Sequence, residues 1–116
     1  MNWNKLTQAE DLSDAYNLSF EQPVILFKHS TRCPVSLMAL SWFERSWKNE
    51  EMEKVQPYFL DLIAYRDLSN QISSQYGVMH ESPQLLVIKN GECVYHKSHS
   101  AISYKEVKQL IEQQAA

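Results

Sequence analysis

Apolar and polar residues alternate along the chain in blocks that predict strands separated by helices. Short apolar runs, typical of strands covered on both faces, lie at residues 24–28, 57–63 and 84–89. Apolar residues at helical spacing fill the intervals, and residues 3–6 form a weaker candidate for a first strand. The predicted order is β-α-β-α-β-α-β-β-α, which implies an α/β fold with a mixed central sheet and helices on both faces.

Local signals mark where several of these elements begin and end. The motifs Thr7-x-x-Glu10 and Ser103-x-x-Glu106 are typical of helix N-termini, because the first residue can cap the helix. Gly77 suits the C-terminus of a helix. Asn90-Gly91 predicts a tight hairpin that joins two antiparallel strands near the end of the chain.

A helix is predicted to begin at Pro34, because a proline fits the first turn, where its missing N–H is harmless. Val35, Met38, Trp42 and Phe43 then lie on an apolar stripe at helical spacing. We expect this stripe to pack against the core, and we expect the tryptophans of the chain to be core or edge residues.

Length and composition narrow the class of protein. The chain has 116 residues and a formal charge of −3, which predicts one domain over residues 1–116 and argues against nucleic acid or an anionic membrane as the main partner. Its two cysteines exclude a disulfide framework and an all-cysteine zinc site, and its two glycines exclude a glycine-rich phosphate loop. The N-terminus lacks the pattern of a secretory signal, so we expect a cytoplasmic protein.

Cys33 lies between a predicted central strand and the helix that begins at Pro34. Its sulfur is therefore expected near helix N-terminal amides, which favour the thiolate over the thiol, and Arg32 adds positive potential. Because the thiolate is the species that attacks a disulfide, the pattern predicts a nucleophilic cysteine. The alternative is an unreactive cysteine packed at a strand–helix junction.

Ser36 stands where a Cys-x-x-Cys enzyme carries its second thiol. Its hydroxyl could donate a hydrogen bond to the Cys33 thiolate, or Ser36 could be only a small helix residue. In either case a mixed disulfide on Cys33 has no resolving partner at position 36. It must be cleared by a thiol from solution or from another protein.

Two segments, His29–Ser36 (HSTRCPVS) and His80–Gln84 (HESPQ), together with the Asn-Gly hairpin, resemble thioredoxin-fold proteins over nearly the whole chain. The closer resemblance is to the monothiol bacilliredoxin family, the YtxJ-like proteins of the bacillithiol system. This resemblance implies that Pro83 is cis and faces Cys33, and that Ser82 offers backbone groups to an extended substrate. It also implies removal of a low-molecular-weight thiol, bacillithiol, from protein cysteines, with that thiol as co-substrate and no permanently bound cofactor.

Two departures from dithiol thioredoxins favour monothiol exchange over general disulfide reduction. Phe27 replaces the buried acid six residues before the first cysteine, and Arg32 replaces the usual aromatic residue beside it. We therefore predict three catalytic residues, Cys33, Pro34 and Ser36, and three substrate-binding residues, Arg32, Ser82 and Pro83. The expected partners are thiolated proteins and the small thiol, with no metal, nucleic acid or membrane.

Two other functions remain open at this point. One is a non-catalytic thioredoxin-like module that binds peptides in the groove near Pro83. The other is an iron–sulfur carrier similar to monothiol glutaredoxins, although these carry Gly-Phe after the cysteine and this chain has Pro34-Val35.

The roles of His29 and Cys93 are also open in the sequence. His29 could tune Cys33 as a neighbouring cation or be a surface-loop histidine, and together with Cys33 it supplies only two metal ligands. Cys93 could resolve a Cys33 disulfide. We expect instead an ordinary strand residue, because the hairpin turn lies at the strand end opposite Pro83.

Overall fold

The computed structural model describes residues 1–115, and it contains the predicted alternation of strands and helices. In chain order the elements are β1 (Asn4–Lys5), α1 (Ala9–Leu18), β2 (Val24–His29), α2 (Pro34–Ser46), β3 (Gln56–Asp61), α3 (Arg66–Tyr76), β4 (Gln84–Lys89), β5 (Glu92–Ser98) and α4 (Tyr104–Ala115). A 3-10 turn at His99–Ala101 joins β5 to α4. The predicted α/β class is confirmed.

The five strands form one mixed sheet in the order β1-β3-β2-β4-β5. The strands β1, β3 and β2 are parallel, whereas β4 runs antiparallel to β2 and β5 runs antiparallel to β4. Across β2 and β4, Val24 pairs with Ile88 and Lys28 pairs with Gln84. The C-terminal end of β2 and the N-terminal end of β4 therefore meet at the same edge of the sheet.

Each face of the sheet carries its own apolar cluster. Because side chains alternate along a strand, Leu26 of β2 points into the cluster beneath α1 and α3, and Phe27 points into the cluster beneath α2 and α4. Both side chains are fully buried. Burial of such a side chain contributes about 1.5–3 kcal/mol, so the clusters hold the helices on both faces. Among the described residues, no helix is long and apolar enough to cross a membrane.

Most of the predicted element ends agree with the structure. Gly77 ends α3 in the left-handed conformation (φ 66°), and the Ser103 hydroxyl accepts the Glu106 backbone N–H at 3.2 Å. Asn90 and Gly91 have φ values of 53° and 76°, as a two-residue hairpin turn requires. The exception is α1, whose N-cap is Gln8 and not Thr7. The Asp11 carboxylate accepts the backbone N–H groups of Thr7 and Gln8, which precede the helix.

The predicted apolar stripe of α2 is buried only at Phe43. Val35, Met38 and Trp42 are 45%, 53% and 55% exposed, so the expectation that they pack in the core is wrong. The helix carries apolar residues on both faces, and the face turned to the sheet is the one that contains Ser36 and Phe43. Ser36 is polar, which is typical of a surface residue, but its side chain is buried on the face of α2 that is turned to the sheet.

Candidate active site

The connection from β2 to α2 presents Cys33 at the N-terminus of a helix. Cys33 is half-buried and is the N-cap of α2. Its backbone N–H donates to the Ser30 carbonyl at 3.2 Å, and its carbonyl accepts the Leu37 N–H at 3.1 Å. Pro34 is the first helical residue, as predicted. The position of the thiol is thus fixed by backbone hydrogen bonds on both sides.

Two backbone amides at the start of α2 are open to an anionic group. Within residues 1–115 the N–H groups of Val35 and Ser36 have no hydrogen-bond acceptor. Such free amides and the aligned peptide dipoles of the helix place partial positive charge at its N-terminus. Arg32 is exposed immediately before Cys33. The arrangement is suited to an anionic sulfur at Cys33.

Ser36 is fully buried, and its hydroxyl has two partners. The oxygen accepts the Ser30 backbone N–H at 3.0 Å and lies 2.7 Å from His29 Nδ1. The expected hydrogen bond from Ser36 to the sulfur of Cys33 is not formed, because the side chain turns toward the end of β2. Ser36 instead ties the first turn of α2 to the end of β2 and so fixes the loop that carries Cys33.

His29 is the last residue of β2 and is only 3% exposed, so the interpretation as a surface-loop histidine is wrong. Its ring packs on Phe59 with 5.5 Å between ring centroids. Burial lowers the pKa of His29, although Asp61 and Glu44 act in the opposite direction. The ring is therefore a neutral hydrogen-bonding partner of Ser36, which argues against a cation that tunes Cys33.

The peptide bond between Ser82 and Pro83 is cis. Lys28 pairs with Gln84 near the end of β2 and the start of β4. Pro83, which precedes Gln84, therefore lies at the same edge of the sheet as the loop that follows β2 and carries Cys33. The Ser82 hydroxyl is buried and has no hydrogen-bond partner among residues 1–115. The Pro83 carbonyl accepts the His99 N–H at 3.0 Å, and the turn His99–Ala101 lies against α2.

Exposed apolar side chains surround this edge. We call Val35, Met38 and Trp42 the α2 ridge, which begins two residues after Cys33. Met79, in the loop before Pro83, is 84% exposed. Sequence reasoning missed this surface because helical spacing alone does not show which of two apolar faces is turned to the sheet.

Sequence reasoning also missed Lys28, a fully buried lysine on β2. Its Nζ donates to the Ser69 carbonyl at 3.2 Å, to the Ser73 hydroxyl at 3.0 Å and to His80 Nδ1 at 3.3 Å. Burial lowers the pKa of Lys28 to about 8. A lysine inside the otherwise apolar run VILFK was the signal that could have drawn attention to it.

Cys93 lies at the far end of the sheet from Cys33. It pairs with Ile88, which is at the level of Val24, whereas Cys33 follows His29 at the other end of β2. The length of β2 places about 16 Å between these levels, well beyond the Cα separation of about 7 Å that a disulfide allows. Burial raises the pKa of the Cys93 thiol. The structure therefore does not bring the two cysteines together.

The described residues contain no group of three or more His, Cys, Asp or Glu side chains placed to hold a metal ion. The site that the structure assembles consists of Cys33, the free amides of α2 and the cis-proline segment.

Comparisons with known proteins agree with this geometry. A family model described as monothiol bacilliredoxin BrxC matches residues 4–107. A solved structure described provisionally as an oxidoreductase with a thioredoxin fold is 31% identical, with a TM-score of 0.75 over 90% of this chain and 89% of that one. Thioredoxins from Malassezia sympodialis and Fasciola hepatica are 17% and 18% identical, with TM-scores of 0.74 and 0.67. The matches cover 99% and 95% of this chain, and 92% and 97% of the two thioredoxins. At these identities the similarity shows the fold alone.

Proposed function

Because the chain belongs to the monothiol bacilliredoxin family, we propose that it removes bacillithiol from protein mixed disulfides through Cys33. The family and the thioredoxin-like fold support thiol redox chemistry. The observation that carries the monothiol form is the occupant of position 36. A buried serine, held by His29 and Ser30, stands where a second thiol would resolve the intermediate.

In the first step the Cys33 thiolate attacks the bacillithiol sulfur of the mixed disulfide. A sulfur–sulfur bond forms between Cys33 and bacillithiol, and the bond between bacillithiol and the protein breaks. The protein sulfur leaves as a thiolate and takes a proton from solvent. The free amides of Val35 and Ser36 are suited to stabilise the negative sulfur of Cys33 before attack.

In the second step an outside thiol restores Cys33. A second bacillithiol, as its thiolate, attacks the bacillithiol sulfur on Cys33, and the Cys33 thiolate leaves. The products are free Cys33 and the symmetric bacillithiol disulfide, which joins the bacillithiol taken from the substrate to the incoming one. One free small thiol is therefore consumed for each protein thiol released. We expect this chemistry in the cytoplasm, where small thiols are kept reduced, and with no permanently bound cofactor.

The surroundings of Cys33 support a protein as the larger substrate. We assign Ser82 and Pro83 to docking of an extended segment beside Cys33, and exposed Arg32 to substrate contacts. The α2 ridge and Met79 offer apolar area next to the thiol, which a folded protein can cover and a small thiol cannot. Neither nucleic acid nor a membrane has a part in this proposal.

Intact-mass spectrometry tests the proposal directly. A protein carrying one bacillithiol mixed disulfide is mixed with the wild-type chain, Cys33→Ser or Cys93→Ser. We expect the bacillithiol mass on the wild type and on Cys93→Ser, and none on Cys33→Ser. Parallel reactions with glutathione and coenzyme A mixed disulfides identify the preferred thiol. An adduct that requires Cys93, or a wild type that takes up no thiol from any donor, would overturn the proposal.

A further inference from the structure

The loop that precedes the cis-proline is held by two buried polar side chains. We call residues 78–82 the docking loop. Lys28 and Gln84 face each other across β2 and β4, and both side chains are at most 1% exposed. Gln84 Nε2 donates to the Met79 carbonyl at 2.9 Å, and Lys28 Nζ donates to His80 Nδ1 at 3.3 Å. Two neighbouring residues of the docking loop are thus tied to the sheet.

The ammonium of Lys28 is matched to its surroundings only while His80 is neutral. Its three N–H groups meet three acceptors, on Ser69, Ser73 and His80. The Ser69 hydroxyl also lies 3.2 Å from His80 Nδ1, so α3 contributes to the same contact. If Nδ1 gains a proton, it can no longer accept a hydrogen bond, and two cations then face each other.

We propose that Lys28 is a positioning residue, which holds the docking loop through neutral His80 and releases it when His80 is protonated. The inference rests on the proposed function, because it assigns to this loop the alignment of Ser82 and Pro83 with the substrate. It gives the buried lysine and the histidine of the HESPQ segment a part in substrate binding, although neither lies on the Cys33 loop.

The charges around His80 favour the neutral ring. Burial is the largest cause that lowers the pKa of His80, and Lys28 of β2 and Arg66 of α3 lower it further. Glu81 acts in the opposite direction, but its carboxylate already accepts a hydrogen bond from the Ser98 hydroxyl. We call the hydrogen bond from Lys28 to His80 the anchor. It is therefore formed at neutral pH and lost on acidification.

Steady-state transfer of the small thiol from a protein mixed disulfide, measured in four variants, tests the anchor. Alkylation of Cys33 by iodoacetamide is a second readout, which does not require a docked protein substrate. At pH 7 we expect Lys28→Met and His80→Ala each to raise KM about fivefold, the effect of one net hydrogen bond, with alkylation unchanged. His80→Asn places an amide oxygen at the position of Nδ1 and should keep KM close to that of the wild type. The control is His96→Asn, an exposed histidine on β5.

The pH profile separates the anchor from a merely structural role. Between pH 7 and 5.5 we expect the KM of the wild type and His96→Asn to rise, and that of His80→Asn to stay flat, because its amide does not titrate. An equal rise in wild type and His80→Asn, or an unchanged KM in Lys28→Met, would overturn the inference.

Hydrogen exchange of the docking loop keeps the inference separate from the proposed function. We expect lower protection factors at residues 78–82 in Lys28→Met than in the wild type at pH 7, whether or not any thiol is transferred. If the wild type transfers no thiol but this difference is present, the proposed function fails and the anchor stands. Equal protection in the two chains refutes the anchor.

Discussion

Lys28 should make the stability of the protein depend on pH in a way that one substitution removes. Lys28→Met keeps an unbranched side chain, one atom shorter, and removes the charge. The folded-state pKa of Lys28 is about 8, below its ordinary value of 10.5, because the ammonium is buried. Between these values the unfolded chain binds more protons, so the free energy of unfolding of the wild type rises with pH. Below pH 8 the cost of the buried charge is present in full.

The magnitude follows from the size of the shift. At about 1.36 kcal/mol per unit, the buried charge costs about 3.4 kcal/mol at pH 7, and this falls to about 1.4 kcal/mol at pH 9.5. The hydrogen bonds of Lys28, worth about 1 kcal/mol each, offset part of this cost, so the absolute effect of Lys28→Met at pH 7 is smaller. The difference in free energy of unfolding between the two chains should change by about 2 kcal/mol over this interval.

Urea denaturation of both chains at intervals from pH 7 to 9.5 measures this change. We expect the stability of the wild type to gain on that of Lys28→Met across the interval. Lys97→Met, which removes an exposed lysine of β5, should follow the wild type. Parallel curves for the wild type and Lys28→Met would show that Lys28 does not titrate in this interval, and the buried-charge argument would fail.

Four further predictions concern the Cys33 loop and the surface beside it. Ser36→Ala should lower the free energy of unfolding by about 1–3 kcal/mol in urea denaturation, because two buried groups lose their partner, whereas Ser46→Ala on the exposed face of α2 should change little. Ser36→Cys should form an intramolecular disulfide with Cys33 on oxidation, seen by intact mass as the loss of two hydrogens; a lasting small-thiol adduct would contradict this. Because the pKa of His29 is lowered, the free energy of unfolding should fall as pH drops below about 6.5, the unfolded value. In urea denaturation, His29→Asn should lose less stability than the wild type between pH 7 and 5. Met38→Asn should raise KM for a protein mixed disulfide and leave iodoacetamide alkylation unchanged; equal KM values would remove the α2 ridge from substrate binding.

Elements with strong local signals were predictable from the sequence. The strand at Gln84–Lys89, the Asn90-Gly91 hairpin and the helix capped by Ser103 have the predicted residues, because propensity, turn chemistry and capping all favour one structure there. The position of Cys33 before a proline-started helix was predictable for the same reason. These elements place the thiol and the cis-proline at one edge of the sheet.

The contacts of buried polar side chains were not predictable, because tertiary packing decides which polar groups meet in the interior. Lys28 reaches residues of α3 and the docking loop that are 41 to 52 positions away. Ser36 resembled a small helix residue until its hydroxyl was seen between His29 and Ser30. Helical spacing left the buried face of α2 undecided, since both faces carry apolar residues, and tertiary packing chose the face with Phe43.

The two loops of the site are fixed by adjacent residues of one strand. Side chains alternate along β2, so Lys28 points to the α3 face and His29 to the α2 face. Lys28 holds the docking loop through His80, and His29 holds the Cys33 loop through Ser36. Burial lowers the pKa of both histidines, and each hydrogen bond is made by a neutral ring. Acid should therefore loosen both halves of the site together, whereas His80→Asn should protect only the docking half and His29→Asn only the half that carries the thiol.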